Sequence, residues 1–164
     1  FAVDLDVGQR LAVEVEGLRL GGPLFDPKLR LFGPRGHELI AEDDTQLLRQ
    51  DAAIVHVAEE AGTFLVALSE AQYGGGGDHR YRLHVGEFPR PLAATPLGGQ
   101  PGEEVALTWL GDPGVARQTV TMPAAGVGPQ LVFATTEAGI SPTGQFVRVN
   151  DLPRALEEIG RAHV

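Results

Sequence analysis

A group of acidic side chains lies close together on one short connection of the chain. Residues 41–51 read AEDDTQLLRQD and include Asp43, Asp44 and Asp51. Like charges at close range repel each other and gain nothing from packing, so either water solvates these carboxylates or a cation neutralises them. Calcium takes about six to eight oxygen ligands from carboxylates and backbone carbonyls. We therefore expect a weak calcium site made of Asp43, Asp44 and Asp51, with Asp26 reaching in from the turn before a neighbouring strand.

The same acids allow two other interpretations. In the first, they form a solvated loop that keeps the end of a sheet soluble, and Asp26 only caps the turn before Pro27. In the second, Asp43, Asp44 and Asp51 act as the paired carboxylates of a glycoside hydrolase. Hydrolysis is the less favoured of the two, because adjacent strand residues point to opposite faces and no aromatic sugar platform lies nearby in the sequence.

Tyr73 is the second candidate for a functional role. It directly precedes the glycine run Gly74–Gly77, which is typical of a flexible hairpin tip. An aromatic ring on such a loop can bind the face of a sugar or a peptide, so Tyr73 is the predicted ligand-binding residue. Trp109 is a different case, because it alternates with Val105 and Leu107 and is therefore predicted to lie in a core.

Nothing else in the sequence indicates catalysis. Neither Ser69 nor Ser141 lies in a strained, exposed turn of the kind that acyl transfer uses. No pair of histidines has helical metal-ligand spacing, and we expect surface positions for His37, His56, His79, His84 and His163. The expectation is a protein that is not an enzyme, with no catalytic residues and no cofactor other than calcium.

Composition narrows the classes of partner. The 164 residues carry a formal charge of -9, which disfavours nucleic acid and anionic membrane surfaces. Cysteine is absent, so disulfides and thiolate metal sites are excluded. No apolar run approaches the ~20 residues needed to cross a bilayer, and the first residues, FAVDLDV, have no leader pattern. We expect a piece of a longer protein, without membrane insertion.

Alternation of apolar and polar residues predicts an all-β chain of two domains. Residues 1–88 are predicted to form a jelly-roll or β-sandwich domain of half-buried strands, among them LAVEVE, KLRLF and TFLVALSE. Residues 89–101 are rich in Pro and Gly and are predicted to be an extended joint. Residues 102–150 are predicted to form a second, small immunoglobulin-like β-sandwich with strands EVALTWLG, RQTVTMP, QLVFATT and GQFVRV.

Residues 1–88 also carry motifs that are specific when taken together. They are an Asp-Pro before alternating leucines in FDPKLRLFG, the acidic pair of AEDD, a further Asp in RQD, an AGTF strand entry, and a closing YRL. In this combination the stretch resembles the bacterial pre-peptidase C-terminal domain, a β-sandwich attached to secreted proteases and to large surface or exported proteins. The following ATPLGGQPGEEVALTWLG is similar to the start of bacterial immunoglobulin-like IPT/TIG domains.

The resemblance implies a non-catalytic accessory module of a larger exported bacterial protein, secreted or at the cell surface. Such domains are thought to assist secretion or stability, or to bind substrate or matrix, and distant relatives in fold, the collagen-binding domains of clostridial collagenases, bind calcium. The implied partners are other domains of the same polypeptide and an extracellular protein or polysaccharide. The alternatives are a structural spacer in a tandem-domain surface protein, a carbohydrate-binding module, and last a hydrolase fragment.

The C-terminal tail, residues 151–164, is predicted to be a linker. Its last residues, 158–164, read EIGRAHV, which is the translation of a common sequencing-library adapter. We expect these seven residues to be foreign to the natural protein. The alternative is a short amphipathic helix using Leu152, Leu156 and Ile159.

Overall fold

The computed structural model describes residues 1–22 and 24–152, and this part of the chain is all-β, as predicted. It contains no α-helix, and its one helical element is a 3-10 turn at Leu18–Leu20. No helix among these residues is long and apolar enough to span a bilayer. The predicted adapter-derived segment, residues 158–164, lies outside the described residues.

The chain divides into two compact units, Phe1–Arg90 and a second that begins at Pro91. The first unit has seven strands, and each of them falls in a segment with predicted alternation. They are β1 (Ala2–Leu5), β2 (Arg10–Glu16), β3 (Pro27–Phe32), β4 (Glu38–Glu42), β5 (Ala53–Val57), β6 (Gly62–Glu70) and β7 (Arg82–Gly86).

These strands form two antiparallel sheets, one in the order β1-β6-β3-β4 and one in the order β5-β2-β7. The alternation of β3 determines which of its faces points to the core, because Leu29 and Leu31 are fully buried. Pro27 is tolerated there because it is the first residue of the strand. Both sheets contribute to one apolar cluster, whose members include Leu11, Val13, Val15, Leu29, Leu31, Ile54, Phe64 and Val66.

Strand β2 differs from its prediction. Alternation predicts one apolar and one wet face. Ala12 and Glu14, on the predicted wet face, are nevertheless as fully buried as the alternating residues Leu11, Val13 and Val15. The carboxylate of Glu14 is compensated there by ion pairs with Arg19 and Arg90. Both faces of β2 are therefore interior.

The second unit also consists of strands around its own apolar cluster. They are β8 (Ala93–Thr95), β9 (Gly98–Gly99), β10 (Glu104–Leu110), β11 (Arg117–Thr121), β12 (Gly128–Val132), β13 (Thr135–Thr136), β14 (Gly139–Ile140) and β15 (Gln145–Val149). The sheets have the orders β11-β10-β8, β12-β15-β9 and β13-β14. Trp109 is 4% exposed within the cluster, which confirms its predicted core position.

The predicted joint, residues 89–101, contains secondary structure that its composition did not suggest. β8 pairs with β10, and β9 pairs with β15 in parallel. Glycine at position 98 permits this close pairing, since a Cβ there would lie 2.0 Å from the carbonyl oxygen of Arg148. Gly98, part of the composition that predicted an extended joint, instead allows two backbones to approach each other.

Candidate functional site

Asp51, one of the four predicted calcium ligands, is fully buried inside the first unit. Its Oδ1 accepts hydrogen bonds from the backbone N–H groups of Gly17 and Leu18, both at 2.9 Å. Its Oδ2 accepts a hydrogen bond from the Nε of Arg19. Both carboxylate oxygens are thus engaged with the chain itself, and Asp51 holds the 3-10 turn against the start of β5.

Three buried charged side chains, Glu14, Asp51 and Arg90, are connected through the partly exposed Arg19, and we call this group the interior ion network. The Glu14 carboxylate lies 2.9 Å from Arg19 Nη2 and 2.6 Å from Arg90 Nε. Burial opposes the charge on Arg19, but its hydrogen bonds to Asp51 and Glu14 outweigh that cost and raise the pKa of Arg19. Charges buried without such partners would be strongly destabilising.

The compact loop before β5 explains why Asp51 points inward. Leu48 is 2% exposed and anchors the loop. The N–H of Thr45 donates to the carbonyl oxygen of Asp51 at 3.2 Å, and the N–H of Ala53 donates to Thr45 Oγ1 at 2.8 Å. The sequence AEDDTQLLRQD therefore places its two ends in different environments, with Asp51 in the interior and Asp44 at the surface.

Asp26, Asp43 and Asp44 lie on the outside of the same unit. Asp26 is half-buried, and its Oδ1 has no hydrogen-bond partner among the described residues. Burial raises the pKa of Asp26, and the nearby charges of Asp44, Glu70 and Asp43 raise it further. Asp26, Asp43 and Asp44 are therefore close enough for their charges to disfavour ionisation of Asp26.

The predicted set of four carboxylates is not available to one calcium ion, because the oxygens of Asp51 are taken by Arg19 and two backbone amides. Within residues 1–22 and 24–152, no group of three or more His, Cys, Asp or Glu side chains is arranged to hold a metal ion. Calcium binding by Asp26, Asp43 and Asp44 stays a prediction.

Tyr73, the predicted ligand-binding residue, is 95% exposed. Its backbone is in the left-handed region, with a φ of 59°, a conformation that is uncommon for a bulky residue and that Leu47 and Arg49 also adopt. The turn is held by Glu70, whose Oε2 accepts hydrogen bonds from the N–H groups of Gln72 at 2.9 Å and Gly74 at 2.6 Å. The fold thus fixes the backbone of Tyr73 while leaving its ring without packing.

A shallow groove of about 170 Å³ lies beside this ring, and we call it the outer-face groove. It is lined by Tyr73 and by Lys28 and Arg30 of β3. Because Leu29 and Leu31 of that strand point to the core, Lys28 and Arg30 point to the opposite, outer face of the four-stranded sheet. The alternation of KLRLF predicts that Lys28 and Arg30 point outward, but it does not indicate that they line a groove with Tyr73.

The remaining lining of the outer-face groove combines small side chains with two carboxylates. Ala41, Ser69 and Ala71 leave space between the longer side chains, and Glu38 and Glu70 add negative charge. Arg30 pairs with Ala41 of β4 on one side and with Ala67 of β6 on the other. The groove can therefore offer an aromatic ring, cationic donors and a hydroxyl to one ligand.

A second cavity of about 330 Å³ lies elsewhere in the first unit and is lined in part by Arg35, His37, His56, Glu60 and Phe64. Two of its charged groups pair with each other, since Arg35 Nη2 lies 3.1 Å from a Glu60 oxygen. The ring of His56 packs against that of Phe64 at a centroid distance of 5.6 Å. The outer-face groove differs from this cavity in its lining, which includes two cationic side chains, Lys28 and Arg30, and the exposed Tyr73.

Comparison of the chain with protein-family models, with curated proteins and with solved structures gave no match.

Proposed function

We propose that the chain is a non-catalytic accessory module of a larger exported bacterial protein, and that its first unit binds polysaccharide in the outer-face groove. The observation that carries this proposal is Tyr73, a 95% exposed aromatic ring on a backbone fixed in the left-handed region. The resemblance of residues 1–88 to the pre-peptidase C-terminal domain supports the accessory role and an exported location. In this proposal the two units are a jelly-roll-type sandwich and an immunoglobulin-like sandwich.

The conformation of Tyr73 favours a binding role over a structural one. A left-handed backbone costs a non-glycine residue about 1–2 kcal/mol, and an exposed ring recovers none of that cost by packing. Glycine or asparagine would satisfy the same turn with less strain. A backbone held in such a conformation points to a functional reason for the side chain.

The size and position of the groove favour a polymer over a small molecule. Pockets that enclose drug-sized ligands usually have about 300–1,000 Å³, and the outer-face groove has about 170 Å³. It lies on the outer face of a sheet, where a long chain can pass across it. One sugar unit of such a chain can place its apolar face on the ring of Tyr73 while its hydroxyls meet polar groups such as Ser69.

A structural spacer is the second candidate function. It is favoured by the division of the chain into two units that each have their own apolar cluster. Modules of this kind can be repeated in tandem to extend a surface protein. A spacer needs no ligand, so it offers no reason for the exposed ring of Tyr73.

Affinity electrophoresis in gels that contain neutral or acidic polysaccharides tests the proposal. We expect at least one polysaccharide to slow migration of the native chain, and Tyr73→Gly to remove that effect without loss of fold. The matched control is Phe146→Ala, which removes another exposed aromatic ring, 68% exposed, from β15 of the second unit. Retardation should persist in this control. If no polysaccharide slows the native chain, the binding function is excluded and the spacer is favoured.

A further inference from the structure

We propose that the outer-face groove selects acidic sugars, and that Arg30 is the residue that recognises their carboxylate. This inference rests on the proposed polysaccharide-binding function and adds the chemical class of the ligand. It is carried by the unused hydrogen-bonding capacity of one guanidinium group.

Arg30 is a half-buried side chain of a central strand, yet it has no acceptor in the described part of the chain. Its Nε is buried and makes no hydrogen bond. No carboxylate from the described ranges lies within 4 Å of its guanidinium, in contrast to Arg19 and Arg90 of the interior ion network. A guanidinium has five N–H donors, and a planar carboxylate can accept two of them side by side.

The guanidinium of Arg30 is also held in place by its surroundings. Its Cζ lies 5.5 Å from the centroid of the Phe32 ring, which is within the range of a cation–π contact. The strand neighbours on both sides of Arg30 are alanines, Ala41 on β4 and Ala67 on β6. These small neighbours leave room beside the guanidinium, whose buried Nε lies against the strand, and a group fixed before binding loses less entropy when the ligand arrives.

The charged lining of the groove consists of two cations, Lys28 and Arg30, and two carboxylates, Glu38 and Glu70, so an anion can be held only at its cationic side. Glu70 is occupied by the backbone N–H groups of Gln72 and Gly74. Lys28 lies 3.7 Å from Asp43, a long and exposed ion pair that contributes little stability and can rearrange. The ligand that fits these donors and the ring of Tyr73 is a sugar that carries a carboxylate, which is a uronate unit of an acidic polysaccharide.

The net charge of the chain makes this inference sharper. A chain with a formal charge of -9 repels acidic polymers in general, so uronate binding depends on local contacts rather than on overall attraction. Loss of the Arg30 guanidinium should then lower the affinity for uronate strongly. A charge-assisted hydrogen bond contributes about 1.5–3 kcal/mol, and about 1.4 kcal/mol corresponds to a tenfold change in affinity.

The test compares oligogalacturonides with their methyl esters by isothermal titration calorimetry, in chelator so that metal bridges cannot form. Both ligands have the same sugar backbone, and only the acid carries the carboxylate. We expect the native chain to bind the acid at least about tenfold more tightly than the ester. Arg30→Gln should lose about that factor for the acid and keep its affinity for the ester. Arg30→Lys keeps the positive charge but loses the planar pair of N–H donors. Its affinity for the acid should lie between that of the native chain and that of Arg30→Gln.

Arg117→Gln is the matched control, since it removes an exposed arginine from β11 of the second unit and should leave both affinities unchanged. Equal binding of acid and ester, abolished by Tyr73→Gly, would overturn the role of Arg30 while leaving the polysaccharide function standing. Absence of binding to either ligand, together with absence of gel retardation, would overturn both. Binding of polyglutamate that needs Arg30 but not Tyr73 would overturn the assignment to a sugar.

Discussion

Asp51 and Asp44 come from the same acidic stretch of sequence, yet the first unit places them in opposite environments. Asp51 is fully buried, and Arg19 and two backbone amides take up both of its carboxylate oxygens. Asp44 is exposed and, with Asp43, adds to the repulsion felt by Asp26. The comparison shows that acid density in a sequence does not predict where each carboxylate lies, because the fold can bury one acid among hydrogen-bond donors and leave its neighbour at the surface.

Arg19, Arg90 and Arg30 of the same unit also differ in whether a carboxylate of the protein pairs with them. Arg19 and Arg90 are committed to carboxylates in the interior ion network. Arg30 lies at the outer-face groove and makes no hydrogen bond or ion pair with the residues that the structure describes. The interior charges thus stabilise the unit, and the capacity to bind something else remains on the outer face.

The largest expected effect comes from removing Asp51. Asp51→Ala leaves Arg19 without one partner and two buried N–H groups without an acceptor, so we expect a loss of about 3–5 kcal/mol of stability. Asp44→Ala, from the same segment, should change stability by no more than about 0.5 kcal/mol. Hydrogen exchange of the strand amides of the first unit measures both changes. Similar effects of the two variants would remove the distinction between interior and surface acids.

The next effect concerns the stability of the turn at Tyr73. Tyr73→Gly relieves the left-handed strain of about 1–2 kcal/mol, but glycine also gains freedom in the unfolded chain. We therefore expect stability to stay the same or to rise by up to about 1 kcal/mol, measured by urea denaturation. A clear loss of stability would mean that the ring packs in the folded protein and has a structural role.

A smaller effect is expected from the pH dependence of Asp26. Because burial and neighbouring acids raise its pKa above the ordinary value of 3.8, the folded state binds a proton here more readily than the unfolded state. The contribution of Asp26 to stability therefore falls as pH rises from 3.8 through the raised value. Asp26→Asn should melt at a higher temperature than the native chain at neutral pH in chelator, and the gap should close below pH 3.8. A gap that is independent of pH would contradict this origin.

The smallest expected effect is the change in stability when calcium is added. Binding by Asp26, Asp43 and Asp44 would be weak, and a ligand present at its dissociation constant stabilises a protein by about 0.4 kcal/mol. We expect millimolar calcium to raise the melting temperature of the native chain slightly relative to chelator, and to leave Asp44→Asn unchanged. If neither melting curve moves, these acids form only a solvated surface.

Local alternation was enough to predict the strands of the first unit, because each strand carries its own pattern. Leu29 and Leu31, for example, determine which face of β3 is buried without reference to any other segment. The burial of Glu14 could not be predicted in the same way, since it depends on Arg90, which is far away in sequence. Short strands such as β9 were missed because their pairing requires glycine rather than a hydrophobic pattern.

The candidate site was predicted only in part, for a similar reason. The position of Tyr73 beside the glycine run indicated an exposed ring, and this is where the structure places it. Its left-handed backbone and the hydrogen bonds of Glu70 that fix the turn correspond to no local sequence pattern. The room beside the Arg30 guanidinium depends on Ala41 of β4 and Ala67 of β6, and these residues become its neighbours only after folding.

Mapping of amide chemical shifts by NMR, while the native chain is titrated with oligogalacturonide in chelator, tests the central claim most directly. We predict that the shifts that change cluster on the outer face of the four-stranded sheet, at Arg30, Ala41, Ser69 and Tyr73, while the amides of Gly17 and Leu18 beside Asp51 stay unchanged. Shifts confined to the cavity at His37 and His56, or no shifts at any ligand concentration, would contradict the assignment of function to the outer-face groove.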